Sequence, residues 1–154
     1  MTDAGKKRAG SRRWGGREEA AYVALVKAAD LLSRPFAQLM KAEDLSATQY
    51  NVLRILRGAP EGLTCGEIGA RMITRDPDIT RLLDRLETRK LIERNRDSKD
   101  RRVVLTRITA GGLEALARLD EPIQEMHRKQ LGHLGRERLK ALMELLELCS
   151  GEPR

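Results

Sequence analysis

The sequence predicts a mainly α-helical protein with one small β-hairpin, arranged as a winged helix-turn-helix with N- and C-terminal dimerisation helices. Apolar residues recur at three- and four-residue spacing through most of the 154 residues, as they do on the buried face of a helix. One pair of β-branched segments, "LIERN" and "RVVLTRI", interrupts this pattern, with a strongly charged loop between them. A hairpin that directly follows two adjacent short helices is the element order of a winged helix-turn-helix.

The basic charge of the chain is concentrated in two zones. The formal net charge is +7, yet residues 1–17 and residues 71–107 each carry a net charge of +5, so the remainder is mildly acidic. Clustered basic charge indicates an acidic partner, and double-stranded DNA fits this fold class. No apolar stretch approaches the ~20 residues that cross a bilayer, so we expect a cytoplasmic protein without a membrane partner.

The pattern divides the chain into four segments. Residues 1–17 are predicted to be a disordered basic arm, and residues 18–45 an N-terminal dimerisation helix. Residues 46–108 form the predicted winged helix-turn-helix, and residues 109–154 the C-terminal dimerisation helices. The terminal helices carry more apolar surface than one chain of this length needs, which predicts a homodimer.

Local signals place the element boundaries. Pro35 falls inside the first helical pattern, which predicts a kink or a break near Leu31–Pro35. Ser46 and Thr109 are predicted N-caps of the helices that follow them. In "TRDPDITRLLDRLETRKL", Asp76 is the predicted N-cap and Pro77 the first helical residue, where its missing N–H costs nothing.

The helix after Asp76 is the predicted DNA-reading element, because its leucines share one face and its arginines the other. The N-terminal residues of such a helix reach base edges in the major groove. Arginine matches guanine, aspartate accepts from cytosine, and threonine contacts a phosphate or a thymine methyl. The residues assigned to DNA contact here are Arg75, Pro77, Asp78, Thr80, Arg81 and Arg85.

The charged loop of "RNRDSKDRRVVLTRIT" is the second predicted DNA contact. The narrow minor groove has a strongly negative potential that attracts an inserted arginine. Either Arg101 or Arg102 is placed to enter it, and Asp100 is placed to hold that side chain in position. The hairpin offers further cations at Arg94, Arg96 and Lys99.

These residues carry a resemblance to a known family. "SATQYNVLRIL" and "DITRLLDRLETRKLIERNRDSKDRRVVLTRITAGG" resemble the MarR family of bacterial transcription regulators. The wing signature of that family, Asp-x-Arg followed by a strand and then Thr before a Gly-containing helix start, matches Asp100-Arg101-Arg102, Thr109 and Gly111-Gly112. The resemblance implies an obligate dimer, a recognition helix at residues 76–89, and Arg102 as the minor-groove arginine.

The resemblance also implies regulation by a ligand. Many members of the family lose DNA affinity when a small, often aromatic, compound binds between the dimer helices and the winged domain. Tyr22, Phe36 and Tyr50 are the residues expected to line such a site. Other members sense oxidants through cysteine, so a redox-responsive regulator that uses Cys65 is an alternative.

Other function classes lack their signatures. The sequence holds no P-loop, GxGxxG or HExxH motif, so we do not expect this protein to be an enzyme. His127 and His133 are six residues apart, and neither a metal site nor a cofactor is expected. Aromatic residues make up 3% of the chain, too few for a base-stacking platform. A winged helix used for protein contact remains an alternative, although it would not need arginine on both helix and wing. The expected function is a dimeric repressor of a pseudo-palindromic operator, released by a small effector.

Overall fold

The computed structural model describes residues 15–151, and this part of the chain is built from helices around one antiparallel hairpin. The mainly α-helical fold with a small hairpin is therefore confirmed. The elements in chain order are α1 (Gly16–Ala42), α2 (Ala47–Arg57), α3 (Cys65–Arg71), α4 (Ile79–Thr88), β1 (Ile92–Arg96), β2 (Val104–Ile108), α5 (Ala110–Leu131), a 3-10 turn (Gly132–Leu134) and α6 (Gly135–Ser150).

Helix α1 differs from expectation at two places. It begins at Gly16, so the predicted arm of residues 1–17 overlaps it, and the arm's residues 1–14 lie outside the described residues. It also continues through Pro35, so the expected break is wrong. Proline removes a single backbone hydrogen bond. Just after Pro35, the packing of Phe36, Leu39 and Met40 against apolar neighbours stabilises the helix.

The described part of the chain divides into two compact units at this point, residues 15–34 and residues 35–151. In the described part of the first unit, α1 leaves a series of large apolar side chains exposed. These are Tyr22, Leu25, Val26 and Leu31.

The core of the second unit forms where α2, α4 and α5 bury their apolar faces. Leu53 and Leu56 of α2, Leu86 of α4 and Leu116 of α5 are all fully buried. Ser46 caps α2 as predicted: its hydroxyl accepts from the Gln49 N–H, and the Gln49 side chain accepts from the Ser46 N–H. The sequence pattern therefore identified the cap of this helix.

The turn before α4 corrects the predicted start of the recognition helix. Asp76 is not its N-cap and Pro77 is not its first residue, because α4 begins at Ile79 with Asp78 in the capping position. The Asp76 Oδ1 atom instead accepts from the Asp78 N–H at 2.9 Å, which closes a turn around Pro77. The turn is also held from α2, where Asn51 Oδ1 accepts from the Ile73 N–H at 2.9 Å.

The hairpin pairs β1 with β2 from Ile92↔Ile108 to Arg96↔Val104. The segment "GLT" adds one bridge, in which Leu63 and Thr106 exchange two backbone hydrogen bonds of 3.0 and 2.7 Å. The base of the hairpin is thus tied into the core, where Ile92 and Thr106 are buried.

Ion pairs connect α5 to the elements that precede the hairpin. Arg118 donates to both carboxylate oxygens of Glu43, and Arg57 donates to both oxygens of Asp120. The hydrogen bonds from Arg118 hold the pKa of Glu43 below its ordinary value. These pairs fix the orientation of α5 more than they add stability, because exposed ion pairs contribute about 0–1 kcal/mol each.

Thr109 caps α5 by accepting from the Gly112 N–H, as predicted, and Gly112 fits a site with no room for a side chain. A Cβ atom there would lie 2.3 Å from the Leu91 carbonyl oxygen and 2.6 Å from Ile108 Cγ1. The close approach of α5 to the hairpin base therefore requires glycine at this position.

Gly112→Ala is expected to lower the free energy of unfolding by about 3 kcal/mol, because the start of α5 and the base of the hairpin would have to move apart. Gly111→Ala is the matched control: its nearest neighbour would be the Lys90 carbonyl at 3.4 Å, so we expect a change within about 1 kcal/mol. Urea unfolding followed by circular dichroism measures both. Equal stability of the two variants would contradict this packing.

Candidate nucleic-acid interface

Helix α4 has one buried apolar face and one exposed basic face. Leu82, Leu83 and Leu86 point into the core. The polar residues predicted for DNA contact, Thr80, Arg81 and Arg85, are exposed. The helix therefore presents cations and a hydroxyl to solvent from a backbone that is fixed by its leucines.

The start of α4 carries a charged pair. Arg81 Nε lies 3.4 Å from Asp78 Oδ2, and both side chains are more than half exposed. A pair this exposed adds little stability, but it orients the guanidinium along the helix. Arg75 and Pro77 are exposed in the preceding turn rather than on the helix, so these two candidates lie on a loop.

The loop of the hairpin is a tight, internally bonded turn. The Asp97 N–H donates to the Val103 carbonyl, and the Val103 N–H donates to the Asp100 carbonyl, both at 2.9 Å. These bonds close the chain between β1 and β2, so the tip is a defined structure that can project a side chain.

Asp100 and Arg102 meet at this tip as the sequence predicted. Asp100 Oδ1 accepts from the Arg102 N–H at 3.0 Å and lies 3.7 Å from Arg102 Nε. The Arg102 side chain is 95% exposed. Arg101 differs, because its carbonyl accepts from Arg96 Nη1 at 3.1 Å and thereby braces the loop. Of the two arginines left open by the sequence, Arg102 is the one that Asp100 positions.

Arg94 has a different place from the other hairpin cations. Its Nη2 donates to Asp84 Oδ1 at 2.6 Å, its Nε donates to Glu87 Oε2 at 2.9 Å, and its backbone N–H donates to Glu87 Oε1 at 3.2 Å. The bonds from Arg94 hold the pKa of Glu87 below its ordinary value. The sequence offered Arg94 as a further cation of the hairpin and gave no signal for this contact with α4.

The expected effector residues are only partly brought together. The rings of Phe36 and Tyr50 meet edge to face, with centroids 5.4 Å apart and planes at 72°. Tyr50 is buried, and this burial raises the pKa of its hydroxyl. Tyr22 lies in the first unit and its side chain is 68% exposed. A groove of about 560 Å³ is lined by residues that include Pro35, Leu39, Pro122 and Met126. Pro35 directly precedes Phe36 in the chain, but Phe36 itself does not line the groove.

The remaining features of residues 15–151 concern metal binding, membrane spans and redox chemistry. This part of the chain holds no group of three or more His, Cys, Asp or Glu residues able to bind a metal ion. None of its helices combines the length and apolarity that crossing a bilayer requires. Cys65, the candidate redox residue, is a partly buried free thiol.

The comparisons with known proteins agree with this geometry. A family model described as "MarR family" matches residues 43–103. A solved MarR transcription factor from Planctomyces limnophilus is 39% identical, with a TM-score of 0.67 over 88% of this chain and 99% of that one. The repressor CouR, solved with a 23-mer DNA duplex, is 27% identical, with a TM-score of 0.77 over 92% of this chain and 99% of CouR.

A curated relative extends the same match. The homoprotocatechuate degradative operon repressor of Escherichia coli is 26% identical over 125 residues, which cover 81% of this chain and 84% of the repressor. Because the match to the Planctomyces limnophilus MarR transcription factor is 39% identical and covers nearly all of both chains, the chain belongs to the MarR family of transcription regulators.

Proposed function

We propose that this protein is a homodimeric cytoplasmic repressor that binds double-stranded DNA at a pseudo-palindromic operator. The observation that carries the proposal is the pairing of two exposed cationic features, the α4 face with Arg81 and Arg85 and the wing tip with Arg102. An α-helix fits the major groove, and an exposed arginine suits the minor groove beside it. The DNA in the CouR structure supports the same use of this fold.

Each candidate residue has a specific role in the proposal. Arg81 reads a guanine, with Asp78 restricting the directions its guanidinium takes, while Thr80 and Arg85 contact the backbone or neighbouring bases. Arg75 and Pro77 present the preceding turn to a phosphate. Arg102 enters the minor groove, oriented by Asp100, and the Arg101 carbonyl braces the loop.

Arg102→Ala is expected to weaken operator binding about tenfold or more at ~0.15 M salt, because the minor-groove contact is lost. The side chain is 95% exposed, so the melting temperature should not change. Lys140→Ala, at an exposed lysine on the polar side of α6, removes one positive charge elsewhere and is the control. Fluorescence anisotropy measures both affinities, and equal values for the two variants would contradict a wing contact.

The homodimer is proposed from the unburied faces of the terminal helices. Helix α6 has no fully buried residue, and Met143, Leu145 and Leu148 are each more than 60% exposed. An amphipathic helix without a covered face needs a partner, and a two-fold dimer is the commonest solution. Two subunits would place two α4 helices in major grooves about one helical turn, ~34–36 Å, apart.

Leu145→Asp tests the dimer, because it places a charge on that face without removing a core side chain. We expect it to shift the protein from dimer to monomer in sedimentation velocity. Lys140→Asp on the polar side of α6 is the control and should remain dimeric. A wild-type protein that sediments as a monomer at micromolar concentration would contradict the proposal.

A small aromatic effector is part of the same proposal, and the groove beside Pro35 and Met126 supports it. Its volume of about 560 Å³ lies within the ~300–1,000 Å³ range of small-molecule sites. A screen of aromatic acids for release of bound operator checks this assignment, and a screen in which none releases DNA would count against it.

A further inference from the structure

We propose that Arg94 is a positioning residue that fixes the wing against the recognition helix α4 and makes no contact with DNA. This inference rests on the proposed DNA-binding function, since it concerns how Arg102 is held at the operator. Arg94 is a hairpin cation whose guanidinium is turned toward the protein instead of toward solvent. Its side chain is 26% exposed, against 95% for Arg102 and 70% for Arg81.

The charges around Arg94 disfavour a phosphate partner. Its single positive charge lies between two carboxylates, Asp84 and Glu87, with which it forms ion pairs. The cluster therefore has a net charge of −1, and a phosphate brought to it would be repelled. The guanidinium also uses donors on Nε and Nη2 for these carboxylates, in the fork geometry that arginine favours.

The contact joins the recognition helix to the hairpin at the outer edge of the part of the hairpin that is tied into the core. Asp84 and Glu87 lie on α4, whereas Arg94 is in the middle of β1, opposite Thr106 in the register of the hairpin. The hairpin base is held by buried Ile92 and by the Leu63–Thr106 bridge. Beyond Arg94, the next two residues of β1, Asn95 and Arg96, are exposed.

A continuous set of contacts leads from this point to the wing tip. Arg96 lies two residues beyond Arg94, about 7 Å along a strand, and its Nη1 donates to the Arg101 carbonyl. Arg101 precedes Arg102, whose N–H is bound by Asp100. Releasing Arg94 from α4 would let the exposed part of the hairpin beyond Arg94 shift, and an insertion geometry is sensitive to displacements of about 1 Å.

A double-mutant cycle of Arg94→Lys with Arg102→Ala tests this role. Lysine keeps the charge for any phosphate contact but lacks the fork that binds two carboxylates. We expect Arg102→Ala to weaken operator binding about tenfold in wild type and less than about threefold in Arg94→Lys, because the wing is already misplaced there. Arg107→Lys on β2 is the control and should leave the Arg102 effect intact.

Glu87→Ala removes both oxygens that accept from Arg94 on the helix side and provides a second variant. Removing a negative charge close to DNA raises affinity if electrostatics alone acts, whereas loss of wing positioning lowers it. We therefore expect Glu87→Ala to bind the operator more weakly than wild type and to show a reduced Arg102 effect. An increase in affinity would overturn the proposal.

Salt dependence separates positioning from direct contact. We expect Arg94→Ala, added to the Arg102→Ala variant, to leave the slope of log K against log salt unchanged. A slope that is smaller by about 0.9 would reveal a phosphate contact of Arg94 and would overturn the proposal. If Arg102→Ala weakens operator binding about tenfold both in wild type and in Arg94→Lys, the two effects are additive. That result overturns the positioning role of Arg94 but not the wing contact of Arg102. An Arg102→Ala variant with wild-type affinity overturns the wing contact itself, and the positioning role with it.

Discussion

The burial of the leucine face of α4 is the constraint on which the rest of the interface depends. Leu82, Leu83 and Leu86 are held in the core, and each such side chain contributes about 1.5–3 kcal/mol by leaving water. Because these positions share one side of the helix, the exposed residues between them are forced to the other side. The arginine face is therefore set by packing energy, and polar contacts serve only to refine it.

The acidic residues of the interface orient its arginines, an effect that the net charge of the region does not reveal. Asp100 orients Arg102, Asp78 accompanies Arg81, and Asp84 with Glu87 holds Arg94. The Asp100–Arg102 and Asp78–Arg81 pairs are exposed enough to contribute little to stability, whereas the Arg94 side chain is only 26% exposed. Their effect is to restrict cations whose rotamer freedom would otherwise be lost on binding, at a cost of up to ~2 kcal/mol per side chain. The positions of the acids thus distinguish Arg81 and Arg102, which stay exposed, from Arg94, which is bound by two carboxylates of the protein.

The elements could be predicted where a signal is local. Ser46 and Thr109 lie next to the helices they cap, and the period of the leucines gives the inward face of α4 directly. The start of α4 was predicted wrongly because an aspartate before proline can cap a helix or close a turn, and the two uses look alike in sequence. The role of Arg94 depends on Asp84, ten residues earlier on another element, so only the folded register brings them together.

The most direct test of the account is selection of bound DNA from a random pool by the wild-type protein and by Arg81→Ala. We expect wild type to enrich a pseudo-palindrome whose half-sites lie one helical turn apart. We expect Arg81→Ala to lose base preference at one symmetric position in each half-site. Enrichment of no symmetric site, or a preference unchanged by Arg81→Ala, would contradict reading of the operator by α4.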